Sequence, residues 1–579
     1  MSVDDGSAVY DAAEGKVAIG MSFGNSNSSI AYTSPEGKAE VIANEEGDRQ
    51  IPSIISYING EEYHGTQAKS QLIRNSKNTV AYFRDYLGQE FKSIDPTPSH
   101  ASAHPQQHEH TSAFTIQDTD SESPSTVTVS EIATRHIRRL ASSASDFLGN
   151  KVNAAVVTVP TNFSEKQRQA LIEAAKAADI EVLQLISEPV AALLAYDARP
   201  EAKVADKNVV VADLGGIRSD VAIIASRGGL YTILATAHDY ELGGAQLDQV
   251  LVDHFAKEFI KKHKIDPRED ARSMAKLNLE SELTKKALSL GVSATFSSES
   301  LADGIDFTST VNRTRYELLS GKVFTRFTRL IEDAVKKAEL DVLDIDEVIL
   351  SGGTSHTPKI ARLLESIFPE STPILAPSTF SEALNPSELA VRGAAIQASL
   401  IQEFEHEDIE QSTHPMVTVT PHLSKAIGVL VISDEVQRGI FNRLIDAHTA
   451  VPVRRTAQYA TPKDGGDVLV KICESVEEIK VTKPAPKAKA SGKKEGEEGD
   501  DEEDFSSEEE EDDIREKVWK VNKVLAELAI KGVKPGGKVE VTVNVGGDLS
   551  VQVTAREVGG KGGVRGSLDV PKIVENGSA

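Results

Sequence analysis

Cysteine is almost absent: Cys473 is the single one in 579 residues. No intramolecular disulfide can form, which fits a reducing compartment. Positive charge is also in deficit, with 63 Lys and Arg against 89 Asp and Glu and a formal net charge of −26. Such an excess repels nucleic-acid phosphates and argues against direct reading of a duplex. No apolar run approaches the roughly 18 residues needed to span a bilayer. The opening MSVDDGSAVYDAAEGK is acidic and polar, with no basic stretch leading into an apolar one, so no secretory or mitochondrial signal is expected there. The final IVENGSA carries no retention or lipidation signal. The expectation is a cytoplasmic protein with no membrane contact.

What is present is a globular composition, 39% hydrophobic and 26% charged. The length suggests about two to four domains. More than half of the net charge comes from one run at 495–513, EGEEGDDEEDFSSEEEEDD, with fourteen carboxylates. Together with KPAPKAKASGKKEGEEG it marks a low-complexity insert over 483–514, read as solvated or, alternatively, as an arm for a basic partner. The stretch 95–125 is rich in Ser, Thr, His and Pro and reads as an irregular surface segment. Its His100, His104, His108 and His110 lack cysteines or a helical i, i+4 pair, so metal binding is not expected there.

Punctuation by glycine organises the rest. VAIGMSFGNSNSSIA (17–31) reads as strand, turn, strand, and NVVVADLGGIRSDVAIIAS (208–226) repeats that plan. The recurrence suggests a duplicated, two-lobed fold. A third turn lies in EVILSGGTSHTPKIARLLESIF (347–368), read as strand, Gly-Gly turn and helix. Helical spacing covers 131–148, 245–263, 272–290 and 385–401. SEKQRQALIEAAKAADI is a helix with Ser164 as N-cap and Gln167 at the capping-box position, and SEPVAALLAY is read as a turn after the strand EVLQLI. Past Gln402 a polar linker (404–415) leads into a β-rich segment (416–482), which resumes after the insert (515–579). There KVEVTVNVGGDLSVQVTA is a hairpin, with Val539, Val541, Val543 and Val545 facing Leu549, Val551 and Val553 across a Gly-Gly-Asp turn.

The three turns in this order resemble the DnaK-type (70-kDa heat-shock) chaperones of the actin-like ATPase superfamily. The marks are IGMSFGNSNSS, AAVVTVPTNFSEKQRQAL, ISEPVAALLAY, VVVADLGG, LGGAQLD, LSGGTSHTPKI and NPSELAVRGAA, spread over nearly the whole chain. The resemblance implies an α/β two-lobed actin-like fold over 1–403, followed by an all-β, sandwich-like substrate-binding domain. It also implies ATP as cofactor, with Mg2+ an open question. Glycine turns suit phosphate because backbone N–H groups can come close where there is no side chain. By resemblance, Gly24, Asn25, Ser26 and Asn27 form the first phosphate turn, and Gly215, Gly216, Ile217 and Arg218 the second. Gly352, Gly353, Thr354, Ser355 and His356 form the nucleoside turn. Glu282, Lys285, Lys286 and Ser289 supply ribose and adenine contacts, although an ordinary exposed helix face explains the two lysines equally by spacing. Arg84 stands beside the phosphates, and Asp213 is the candidate to hold a metal through water.

Departures from the family pattern point away from turnover. The family carries aspartate where this chain has Ser22, and a lysine that positions the attacking water where it has Arg84. Its Gly-Gly-Gly-Thr becomes Gly-Gly-Ile-Arg at 215–218, while Asp213, Asp220 and Glu188 remain. Hydrolysis is therefore expected to be weak or absent. Arg218 is read as neutralising and holding a triphosphate, the alternative being a built-in arginine finger. The leucine-rich linker and the helical lid of the family are not recognised in the sequence. This combination is similar to the atypical family members of fungal ribosome-associated complexes. That likeness implies a stable heterodimer with a zuotin-like J-domain protein, ribosome contact through the partner, and stimulation of a second chaperone acting on nascent polypeptides. The alternatives are an active ATP-hydrolysing chaperone, a nucleotide-exchange factor of the large heat-shock type, and a sugar or glycerol kinase of the same superfamily.

Overall fold

Apolar strands joined through glycine turns build two sheets with one strand order. In a computed structural model the described residues are 16–91, 102–117, 123–402 without 201, 203 and 204, 423, 425–460 without 434, 435 and 448, 465–482, 514–560 and 563–568. The chain divides into two compact units, 1–419 and 420–579. The expected linker at 404–415, the acidic insert up to residue 513 and the chain past 568 lie outside the described residues.

In the first lobe of the first unit, β1 (Ala18–Ser22), β2 (Asn27–Thr33) and β3 (Ala39–Ile42) run antiparallel. After helix α1 (Val129–Leu148), β4 (Ala154–Val159) pairs parallel to β1. Helix α2 (Glu165–Ala177) leads to β5 (Glu181–Ser187), which pairs parallel to β4 and is followed by α3 (Glu188–Asp197). The second lobe repeats this with β6 (Lys207–Leu214), β7 (Ser219–Arg227), β8 (Leu230–Asp239), helices α4 (Gly244–His263) and α5 (Ala271–Leu290), β9 (Glu347–Ser351) and β10 (Ile374–Leu375). The sheet orders, β3-β2-β1-β4-β5 and β8-β7-β6-β9-β10, correspond strand for strand. The duplication read from the two hairpins is therefore real at the level of topology.

Helix α6 (Leu389–Ile401) closes the unit by packing on β1 and α3. Two glycines permit the approach: a Cβ on Gly20 would lie 2.2 Å from the Ala395 nitrogen, and one on Gly393 would lie 1.9 Å from the Ala191 carbonyl oxygen. The capping box at Ser164 forms as expected, with Gln167 N–H donating to Ser164 Oγ and Ser164 N–H to Gln167 Oε1. Two local expectations are corrected. SEPVAALLAY is the helix α3, not a turn, because its Ala and Leu residues are strong helix formers and its proline sits in the first helical turn, where a missing N–H costs little. Within and just past 95–125, the strands Gln106–His108, Thr111–Ile116 and Ser125–Thr128 form a small antiparallel sheet.

The second unit is all β in its described residues. Its strands are β11 (Ala426–Ser433), β12 (Val436–Ile445), β13 (Val453–Ala460), β14 (Gly466–Thr482), β15 (Ile514–Val533), β16 (Lys538–Val545), β17 (Val551–Glu557) and β18 (Val564–Leu568). They form sheets β12-β11-β14-β15 and β13-β16-β17-β18, with Ile427, Val429, Ile472 and Leu528 packed in one core with Val541, Val543 and Val553. The β16–β17 hairpin pairs Val545 with Val551 and Val543 with Val553. Leu549 is not a paired strand residue; it sits in the turn with φ 64°. Among the described residues, no helix is long and apolar enough to cross a membrane.

Candidate nucleotide-binding site

The turns between β1 and β2 and between β6 and β7 face each other across the two lobes of the first unit. At Gly24 a Cβ would meet the Asn27 carbonyl oxygen at 2.0 Å, and at Gly216 it would meet Ser26 Oγ at 2.4 Å. The two turns thus touch only because glycine leaves room. Gly215 N–H closes the second turn on the Arg218 carbonyl at 3.0 Å. The start of α4 is tied to the same turn: Gly244 N–H donates to the Gly215 carbonyl at 3.0 Å and Ala245 N–H to the Gly216 carbonyl at 2.7 Å.

The third turn joins from β9. Gly352 has φ 83°, and a Cβ there would lie 2.4 Å from Asp213 Oδ1. Thr354 Oγ1 donates to the Gly215 carbonyl at 2.8 Å, while Ser355 is buried and donates to the Ser351 carbonyl. His356 Nε2 lies 3.1 Å from Ser387 Oγ, outside that knot, and Gly353 begins the short turn of helix between them. From α5, Lys285 Nζ reaches the Gly244 carbonyl at 3.0 Å and Asp248 at 2.8 Å. A Cβ on Gly244 would meet both Lys285 Nζ and Thr354 Oγ1 at 2.9 Å. Glu282 takes a bidentate contact from Lys69, at 2.8 and 2.7 Å, across the two lobes. Burial pushes its carboxyl up, but Lys69, Lys286 and Lys285 outweigh that and hold it at about 2. Lys286 is exposed and bonds along its own helix, and Ser289 Oγ donates back to the Lys285 carbonyl.

A cluster of charge sits behind the phosphate turns. Arg84 is 5% exposed; its Nε donates to Asp85 at 2.9 Å and its NH1 to Glu188 at 3.0 Å. Its own N–H donates to Asn25 Oδ1 at 3.1 Å, which ties it to the first turn. Arg218 is 6% exposed and forks onto Asp220 through Nε and NH2. It also reaches Asp85 Oδ2 through NH1 at 3.2 Å and Asn162 Oδ1 through NH2 at 3.0 Å. Tyr240 stacks beneath the guanidinium, 4.5 Å from carbon to ring centroid. His238 Nδ1 braces the other side of Asp220 at 2.7 Å. Burial pushes Asp220 up, but His238 and Arg218 together bring it below its ordinary range. Asp213 has the opposite fate: burial, then Glu188 and Asp220, push it up to about 8.

Asp85, Asn162, His238, Tyr240, Lys69, Gly243 and Gly244 were not read as site residues from the sequence. The two glycines lay in the LGGAQLD mark and Asn162 in AAVVTVPTNFSEKQRQAL; the others come from segments that carry no such mark. Ile217 is half-buried in the second turn, and Ser22 Oγ accepts from Thr158 Oγ1 at 3.3 Å. The convergent glycine turns fit a phosphate chain, since each presents backbone where a Cβ would collide. Among the described residues, no group of three or more His, Cys, Asp or Glu side chains is disposed to hold a metal ion.

A family model described as Hsp70 protein matches residues 18–488. The chain belongs to the Hsp70 family. Its α/β two-lobed unit is the actin-like nucleotide-binding half of that fold, and the all-β unit is the sandwich-like half. The Hsp70-family chain is 44% identical over 551 residues to the ribosome-associated complex subunit SSZ1 of Saccharomyces cerevisiae, covering 95% of this chain and 99% of that protein. It is also 44% identical over 567 residues to a heat shock protein 70 homolog of Schizosaccharomyces pombe, covering 96% of each. Heat shock 70 kDa protein 14-B of Xenopus laevis is 32% identical over 467 residues, 79% of this chain and 87% of that one.

As an Hsp70-family site, the cleft is spanned outside the turns by Lys69–Glu282. Lys69→Ala is expected to speed nucleotide release about fivefold, the size of one partly buried ion pair near 1 kcal/mol. Stopped-flow displacement of a fluorescent adenine nucleotide measures this; an unchanged release rate would remove the latch role.

Proposed function

We propose that this chain is an ATP-binding, hydrolysis-deficient subunit of a ribosome-associated complex. It pairs stably with a zuotin-like J-domain protein, meets the ribosome through that partner in the cytoplasm, and stimulates a second chaperone acting on nascent polypeptides. The nucleotide-binding domain is assigned to 1–403, and the β-domain to 416–482 and 515–579. The likeness to the yeast subunit over almost its full length supports the assembly. One observation carries the altered chemistry: the side chain that replaces a small hydroxyl residue at 218 is a buried arginine already forked onto Asp220 and tied to Asp85.

In this reading Gly24 to Asn27 and Gly215 to Ile217 cradle the phosphates with backbone N–H groups. Gly352, Gly353, Thr354 and His356 border the nucleoside with Glu282, Lys285, Lys286 and Ser289. Bound ATP contributes a polyanionic triphosphate and a bridge between the lobes. Arg218 stands at the second phosphate turn with its guanidinium on Asp220 and Asp85. Arg84 takes the place of a water-positioning lysine but spends its donors on Asp85 and Glu188. With Ser22 a hydroxyl, no carboxylate stands at the end of β1 to order metal-bound water. Any Mg2+ at Asp213 would be held through water. The nucleotide is then a structural cofactor, stabilising the closed lobes by about 2.7 kcal/mol at a hundredfold excess over Kd.

Single-turnover hydrolysis of ATP by the purified chain, beside a direct binding measurement, tests the reading. Tight binding without cleavage is expected, and turnover at rates ordinary for the family would make it an active chaperone instead. Affinity purification from cytosol is expected to recover a J-domain protein in equal amount; repeated recovery of a lone monomer would remove the partner assignment.

A further inference from the structure

The first phosphate turn is braced from behind by a buried chain of side-chain hydrogen bonds. Ser53 Oγ donates to the Gly24 carbonyl at 2.7 Å. Ser53 Oγ and Ser28 Oγ lie 2.9 Å apart, and Ser28 Oγ lies 3.0 Å from His136 Nε2. All three side chains are at most 1% exposed. They come from three elements: Ser28 from β2, Ser53 from the segment that follows the short strand Ile51–Pro52, and His136 from the middle of α1.

The direction of the chain follows from its end. A carbonyl oxygen only accepts, so the single hydroxyl proton of Ser53 goes to Gly24. Ser28 then donates to Ser53, because two hydroxyl lone pairs do not face each other at hydrogen-bond distance. With its proton spent, Ser28 Oγ accepts from the ring. All three contacts are satisfied only when His136 carries a proton on Nε2, and a neutral ring then leaves Nδ1 as a bare lone pair. Nδ1 of His136 is buried without a hydrogen-bond partner, as is Nδ1 of His64 in the same small pocket. The ring is gripped by Phe23 and Phe83, each with its centroid 5.8 Å away. Phe23 itself belongs to the phosphate turn. Burial, then the neighbouring His64, pushes the His136 pKa down to about 3, so the ring stays neutral at any working pH.

We propose that His136, as the neutral Nε2–H tautomer, is a positioning residue that sets the Gly24 carbonyl, and with it the first phosphate turn, through Ser28 and Ser53. Removing the donor frees Ser28 to turn its proton away from Ser53, and the relay to Gly24 loosens. The effect on nucleotide binding rests on the function proposed above, whereas the tautomer does not.

The test uses the full chain in three arms. Nitrogen-15 NMR of histidine-labelled protein is expected to give, for the signal missing in His136→Gln, a protonated Nε2 and an unprotonated Nδ1 at neutral pH. A protonated Nδ1 would overturn the assignment whether or not ATP binds. His136→Leu is expected to weaken ATP binding about tenfold, the loss of one buried hydrogen bond. His136→Gln keeps a donor at the same reach and should restore binding to within about twofold. Ser28→Ala should weaken binding as much as His136→Leu, and the double variant no further, as for two groups in one chain. Additive losses, or failure of glutamine to rescue, would leave His136 a packing residue only. If His136→Leu does not fold, the labelled wild type and Ser28→Ala decide the matter. Wild-type protein that fails to bind ATP, with the tautomer as stated, would refute the nucleotide reading and leave the relay intact.

Discussion

Arg218→Ala is expected to lower the unfolding free energy of the first unit by about 3–5 kcal/mol at neutral pH, the cost of leaving buried charge uncompensated. The guanidinium is the main counter-charge for Asp220 and one of two for Asp85, and it is almost fully buried. Without it, Asp220 keeps its His238 contact and the more distant charge of Arg84, and Asp85 keeps Arg84 and Asn25. Arg218→Thr, which restores the residue type of the family, should cost about as much, because threonine supplies no charge. Attempts to revive hydrolysis by Ser22→Asp with Arg218→Thr therefore need a stability measurement beside the rate. Pairing the change with Asp220→Ala should recover part of the loss, since the second change removes the orphaned carboxylate. Calorimetry or far-ultraviolet dichroism in denaturant measures the series; the lone tryptophan, Trp519, lies in the second unit and does not report on this one. Arg218→Ala within about 1 kcal/mol of wild type would mean that this cluster is no more than a surface ion pair.

Asp213→Asn should have an effect of opposite sign and strong pH dependence. In the nucleotide-free protein Asp213 is raised from 3.8 to about 8, first by burial and then by Glu188 and Asp220. A group whose folded-state pKa is raised favours folding while protonated. That contribution is complete below about pH 4 and is lost as pH rises through about 8, so the wild type should weaken across this window. Asparagine keeps the neutral form at every pH. The variant should match the wild type near pH 4 and exceed it by several kcal/mol, about 5–6 for a shift of this size, at pH 9. Melting curves of the two proteins from pH 4 to 9, read as their difference, cancel the other titrating groups. Parallel curves would show that Asp213 is ionised throughout.

Local order was written plainly in the chain. Alternating and continuous apolar runs marked β1, β2, β6, β7 and β9, and the capping box at Ser164 followed from two side chains three residues apart. The duplicated hairpin was legible because phosphate turns need glycine wherever they occur. SEPVAALLAY reads as a turn yet folds as helix α3, because proline is tolerated in the first helical turn and the Ala and Leu residues after it are strong helix formers. Leu549 was misread because a residue entering the left-handed region leaves no mark on hydrophobic alternation.

Sequence alone therefore determined the Hsp70-type architecture, the glycine turns and the places where the phosphate site departs from its family. Those are properties of short segments, where composition and spacing carry the physics. Tertiary structure alone decided what the departures do. Arg218 and Arg84 met Asp85, Asp220 and Glu188 only once three segments were folded onto one point, and His136 met Gly24 only through two serines from other segments. Buried charges and hydrogen-bond directions depend on partners far apart in the chain, so no local pattern could announce them.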